Sequence, residues 1–179
     1  LHLFGGLDKP CSGRIMFYSE NIVEYSERKI NEFRNSEVGF VFQFHHLLSD
    51  FTAYENIVMP SIIKGNFNDE KKKFAEYIIG RLGISERKNH FPNQMSGGEQ
   101  QRTAIARSMI NHPKLIFADE PTGNLDNETA SDVIKLFWEI NREFNVTIII
   151  VTHDKNLADN SADFFELKNG KINIIKKHG

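Results

Sequence analysis

Three nearly uninterrupted apolar runs stand out along this chain: Val38 to Phe42, Leu115 to Ala118 and Val146 to Thr152. Strands in a parallel sheet, covered on both faces, read this way because neither face needs polar positions. Between the runs the apolar residues recur at helical spacing. Phe74, Ile78 and Leu82 fall at four-residue steps on one face, with Asn68 or Asp69 as the cap and Gly83 as the stop. Ser96 caps a helix through Ile105 and Met109 towards Pro113, and Asp126 or Asn127 opens a long one carrying Val133, Phe137, Ile140 and Phe144. A shorter helix is predicted from Thr52 to Met59, stopped by Pro60. Near the start, Leu1 to Gly6 reads as the end of a helix begun earlier, closed by Gly5 and Gly6, and a short strand covers Arg14 to Tyr18. Near the end, Asn169-Gly170 separates the runs Phe164 to Lys168 and Lys171 to Ile175, which predicts a hairpin. Strands alternating with helices predict an α/β fold, a mostly parallel sheet between helices with a C-terminal hairpin.

Bulk properties narrow the setting. The chain has 179 residues, 40% hydrophobic, enough for one compact domain with a core. Net charge is -2, with acidic and basic residues interspersed, so no basic face marks a nucleic-acid partner. Cys11 is the only cysteine, which excludes an internal disulfide and fits a reducing compartment. No apolar run approaches the roughly 20 residues that span a bilayer. A soluble protein, or one held at a membrane through partners, is expected.

The candidate chemistry lies where glycines meet a helix start and where strands end. Ser96-Gly97-Gly98 puts a hydroxyl and unpaired backbone amides at a helix N-terminus, a place that attracts phosphate oxygens. A lone capping serine after a flexible turn would look the same. Asp119 and Glu120 end the Leu115 run at the carboxyl edge of the sheet, the ligand edge of open α/β folds. Aspartate there can hold Mg²⁺ through its water shell, and the glutamate can orient an attacking water as general base. His153 and Gln43 end the other two runs and could reach a γ-phosphate, its Mg²⁺ or the water. His45-His46 lacks a third ligand at a suitable spacing and is not read as a metal site.

In this order the motifs resemble the nucleotide-binding subunits of ABC transporters, over essentially the whole chain. Ser96 to Gln100 resembles the signature motif, with Glu99 where many members carry glutamine and Met95 where leucine is usual. Leu115 to Asp119 resembles the Walker B strand, Glu120 the catalytic glutamate, Asn124-Leu125-Asp126 the D-loop, His153 the switch histidine and Gln43 the Q-loop glutamine. The resemblance implies a P-loop NTPase-like domain, with a helical signature region over about 44–112 and the Walker B to hairpin part over 113–179. It implies ATP and Mg²⁺, with Asp119 and Gln43 on the metal, Glu120, His153 and Gln43 as catalytic residues, and Ser96, Gly97, Gly98, Glu99 and Asp126 on the nucleotide. It further implies a head-to-tail dimer with a second copy, in which the signature of one subunit covers ATP held by the other, and two integral membrane subunits as partners.

The stretch Gln43 to Pro60 is similar to the lipoprotein-releasing branch of that family, at the cytoplasmic face of an inner membrane, with lipoprotein as the indirect cargo. Macrolide-export and cell-division ATPases are the alternatives within the family. By the same resemblance the residues after Gln43 face the groove where membrane subunits dock; otherwise Phe44, Leu47 and Leu48 are core. No G-x-x-x-x-G-K-[ST] occurs in these residues. That loop cradles the β- and γ-phosphates, and in the family it lies just upstream of the segment that Leu1 to Gly6 resembles. The 179 residues are therefore expected to be an N-terminally truncated segment, weak in ATP binding by itself and negligible in hydrolysis. The strand leading into that loop belongs in the middle of the sheet, so its buried neighbours should be exposed. A catalytically inactive remnant and an ABC ATPase acting on DNA or ribosomes are the two rival readings, the latter disfavoured by the near-neutral charge.

Overall fold

A computed structural model describes residues 1–154 and 163–176. In chain order the elements are β1 (Met16–Phe17), β2 (Glu20–Asn21), α1 (Glu27–Ser36), β3 (Val38–Phe42), α2 (Ala53–Lys64), α3 (Asp69–Arg81), α4 (Gly97–Met109), β4 (Leu115–Asp119), α5 (Asn127–Phe144), β5 (Thr147–Val151), β6 (Phe164–Lys168) and β7 (Lys171–Lys176). The three apolar runs form one parallel sheet in the order β3-β4-β5. Its register aligns Phe42, Asp119 and Val151 across the three strands.

Two apolar clusters cover the sheet. Val41, Ile116 and Ala118 meet Ile57, Ile78, Ile105, Met109, Phe137 and Ile140 from α2, α3, α4 and α5. Val38 and Phe117 meet Ile22 and Phe33 in the second cluster. Thus β3 and β4 are buried strands, as their composition requires. The Val146 to Thr152 run is not: Ile148 and Ile150 pack on the core, but Ile149 and Val151 are 42% and 43% exposed. Only β4 neighbours β5 among the described residues, so β5 is an edge strand covered on one face.

The caps follow the residue chemistry. Thr52, Asn68, Ser96 and Asp126 each accept a backbone N–H in the first turn of the helix they precede. Pro60 does not end α2. The helix runs four residues further, to Lys64, with Gly65 at φ 74 as its cap, because Ile57, Val58 and Ser61 anchor its inner face in the core and outweigh the missing N–H. Helix α1 is not among the elements expected from the sequence; Ser26 caps it, Phe33 is its one buried residue, and Ile30 packs beside Phe33. At the start, Gly6 N–H donates to Leu3 O and Leu7 N–H to His2 O, with Gly6 at φ 66. Those paired bonds are a Schellman helix stop, here closing turns rather than an assigned helix. The hairpin forms as expected, with Asn169 and Gly170 both at positive φ. Its apolar face, Phe165, Leu167, Ile172 and Ile174, is at least half exposed.

Candidate active site

Because the strands are parallel and in register, their ends deliver chemistry to one edge. Gln43 follows Phe42, Glu120 follows Asp119, and His153 lies two residues past Val151. Glu120 sits at φ 45, and its N–H donates to Val151 O at 2.9 Å. A β-carbon-bearing residue reaches that left-handed region only when its surroundings hold it there, a state typical of functional turns. The Glu120 side chain is largely enclosed, and its Oε1 is buried without a hydrogen-bond partner. His153 Nε2 stands 3.6 Å from that oxygen, beyond hydrogen-bond reach, on an imidazole almost fully exposed. An orphaned carboxylate oxygen normally demands a donor.

Gln43 is held in place by its neighbour across the edge. Its Nε2 donates to Asn124 Oδ1 at 3.0 Å, and Asn124 Nδ2 donates to Gln43 O at 3.1 Å. A β-carbon on Gly123 would lie 2.7 Å from Gln43 Nε2, so glycine is what lets the amide lie there. Asp119, half-buried, shares this edge. Among the described residues no group of three His, Cys, Asp or Glu could hold a metal by itself. A single carboxylate is nonetheless what Mg²⁺ commonly takes from a protein when phosphate oxygens and waters complete its shell.

The signature residues form a second group. Ser96 Oγ accepts Glu99 N–H, Glu99 Oε2 accepts Ser96 N–H at 2.8 Å, and Glu99 Oε1 accepts Arg87 Nε–H at 2.8 Å. Arg87 first, and the Ser96 amide next, hold the Glu99 carboxyl below the usual carboxylate range. Both Glu99 oxygens therefore act within the chain, closing a capping box. Ser96 and Gly97 remain exposed at the start of α4, while Gly98 is buried. A β-carbon on Gly98 would fall 2.5 Å from Thr129 Cγ2, and one on Gly97 3.3 Å from Leu125 Cδ2. The glycines thus let the start of α4 abut the start of α5. Asp126 caps α5: its Oδ1 accepts the Glu128 and Thr129 amides and its Oδ2 the Thr129 hydroxyl. Its carboxyl is lowered chiefly by that hydroxyl.

So the structure brings Gln43, Asp119, Glu120 and His153 to one edge. The Ser96 to Glu99 turn and Asp126 make up the neighbouring group, reached through Leu125. Sequence reasoning missed Asn124 as the partner of Gln43 and Arg87 as the partner of Glu99; neither spacing nor residue type signals a contact across so many residues. Phe44 and Leu48 are not core, being 71% and 46% exposed, whereas Leu47 is partly buried.

The profile described as ABC transporter matches residues 1–123, more than half of the chain. The chain belongs to the ABC transporter family. By family it is an ABC-type ATPase. It is 46% identical over 170 residues to the "Lipoprotein-releasing system ATP-binding protein LolD" of Idiomarina loihiensis, covering 95% of this chain and 75% of that protein. The protein of the same name from Cytophaga hutchinsonii is 43% identical over 172 residues, 96% of this chain and 78% of that one. Among solved structures, the dimeric ATP-binding cassette MJ0796, in a post-hydrolysis state bound to ADP and Pi, matches with a TM-score of 0.88 at 35% identity. It spans 99% of this chain and 79% of the other. These likenesses establish the LolD-like ABC cassette fold that the motifs imply.

Proposed function

We propose that this chain is the ATP-hydrolysing part of a transporter that releases lipoproteins from an inner membrane, working as a peripheral subunit. The observation that carries the ATPase reading is the orphaned, buried Glu120 Oε1 at the strand edge, with His153 and Gln43 beside it. Glu120 orients and deprotonates the attacking water, while Gln43 and His153 contact the γ-phosphate side. Asp119 fits Mg²⁺, which when bound neutralises phosphate charge. Ser96, Gly97, Gly98, Glu99 and Asp126 belong to the surface that closes over ATP held by a second copy. Exposure of Ser96 and Gly97 supports this for the turn, whereas Glu99 and Asp126 act there through the caps they form. The names of the two LolD relatives support lipoprotein as cargo. Exposed Phe44 and Leu48 support docking of membrane subunits after Gln43. No helix among the described residues is long and apolar enough to cross a membrane.

The test is ATP turnover by the complete protein assembled with its membrane subunits. Glu120→Gln is expected to lower kcat by about 10² to 10⁴, the usual contribution of a general base, and to accumulate an ATP-bound dimer. Turnover at the normal rate in that variant would remove Glu120 from the role. Release of lipoprotein from vesicles carrying the assembly tests the cargo; ATP turnover without release would point to a different transported substrate.

A further inference from the structure

The turn just past Gln43 is held from an unexpected side. His45 and His46 both lie at positive φ, 57 and 47, although neither is glycine. Their carbonyls converge on one guanidinium: Arg107 Nη2 donates to His45 O at 2.6 Å and Nη1 to His46 O at 2.5 Å. Arg107 lies in the last turn of α4, and no carboxylate pairs with it among the described residues. Charged donors make stronger hydrogen bonds than neutral ones, so these two carbonyls are its main anchorage. The His45 side chain itself is buried.

The flanks are fixed as well. Asn124 holds Gln43, and Asn56 Oδ1 accepts Leu48 N–H at 2.7 Å while its Nδ2 donates to Leu48 O. Between these anchors Phe44 stands in solvent. One helix therefore carries the Ser96 turn at its start and grips the base of the Phe44 turn at its end.

We propose that Arg107 is a positioning residue: it ties the Gln43–His46 turn to α4, so that the placement of Gln43 and the display of Phe44 follow the signature helix. Its kinetic consequence rests on the ATPase reading above; the tie itself does not. A merely structural Arg107 would stabilise the whole domain without singling out this turn.

Hydrogen exchange on the 179-residue chain separates the two. Arg107→Met is expected to speed exchange of the 44–48 amides about tenfold or more, the scale of losing charged hydrogen bonds, leaving α3 and α5 unchanged. Arg107→Lys, which keeps one charged donor, recovers part of the protection. Arg102→Met, which loses a bond from the same helix to Leu82 O, leaves the 44–48 amides as in the parent. In the complete assembly Arg107→Met lowers kcat about tenfold with the KM for ATP within about twofold, and lysine restores part of it. Uniform acceleration across α3 and α5 overturns the proposal, as does an unchanged kcat. An assembly whose parent form turns over no ATP instead removes the ATPase reading, and the exchange pattern then decides the tie alone.

Discussion

Gln43 and Asn124, 81 residues apart, hold each other by two reciprocal hydrogen bonds, one between side chains and one from the Asn124 amide to the Gln43 carbonyl. The side chain proposed to contact phosphate or metal thus has its rotamer set by the loop that follows Glu120. Asn124→Ala is expected to leave the fold intact and lower kcat in the complete assembly by up to about tenfold, the scale of one or two lost hydrogen bonds. Gly123→Ala should act the same way by pushing the Gln43 amide aside. Steady-state ATP turnover checks both; unchanged kcat in both would show that Gln43 needs no such support.

Gly98→Ala should destabilise the chain by about 1 to 3 kcal/mol, the range for overpacking. The new methyl meets Thr129 Cγ2, and rotating that side chain away would break its hydroxyl bond to Asp126. Thr129→Ser removes the obstructing methyl and keeps the hydroxyl, so the double variant should recover much of the loss. Denaturant melts of the two singles and the double give the coupling directly.

At Glu99, charge and cap can be told apart. Glu99→Gln keeps an oxygen for the Ser96 amide and loses the ionic pairing with Arg87, so the loss should stay within about 1 kcal/mol. Glu99→Ala removes the cap as well and should cost about 1 kcal/mol more. Thermal melts settle it, and equal losses in both would mean that the charge carries the effect.

Stability should fall on mild acidification because of His45. Burial, the largest cause, holds its imidazole below the ordinary value of 6.5, with Arg107 and His46 adding to the effect and Gln100 opposing it. The unfolded chain therefore takes up this proton first. The fold is fully favoured above the unfolded value and loses stability as pH falls below about 6.5 towards the folded value, by no more than about 1.4 kcal/mol per pH unit for one proton. His45→Gln should flatten that slope in melts between neutral and mildly acidic pH.

Strand identities, caps and the hairpin were legible because each rests on local chemistry: an apolar run, an oxygen-bearing cap, Asn-Gly. The edge position of β5 was not readable from Val146 to Thr152, since composition reports what a strand can bury and not which neighbours it has. Pro60 misled because a local penalty lost to the packing of Ile57, Val58 and Ser61. The positions of the candidate site residues were legible as strand ends and a glycine turn. Their supports, Asn124, Arg87 and Arg107, were not, since each acts across the fold through one polar contact.

The absence of a phosphate loop from these residues gives its own expectation. The 179-residue chain alone should show negligible Mg-ATP turnover, since no lysine and amide cradle is present to hold the β- and γ-phosphates. Turnover by the purified chain that disappears on Glu120→Gln would overturn this.

Among the described residues β5 has one unpaired side, and that side has a direction. Its outer peptide groups face away from β4, and Phe42, Asp119 and Val151 share one row. A strand laid parallel against that side in the same register would finish level with that row, and the turn after it would emerge beside Glu120 and His153. The register thus ties the outer edge of β5 to the same row of chemistry as its paired edge.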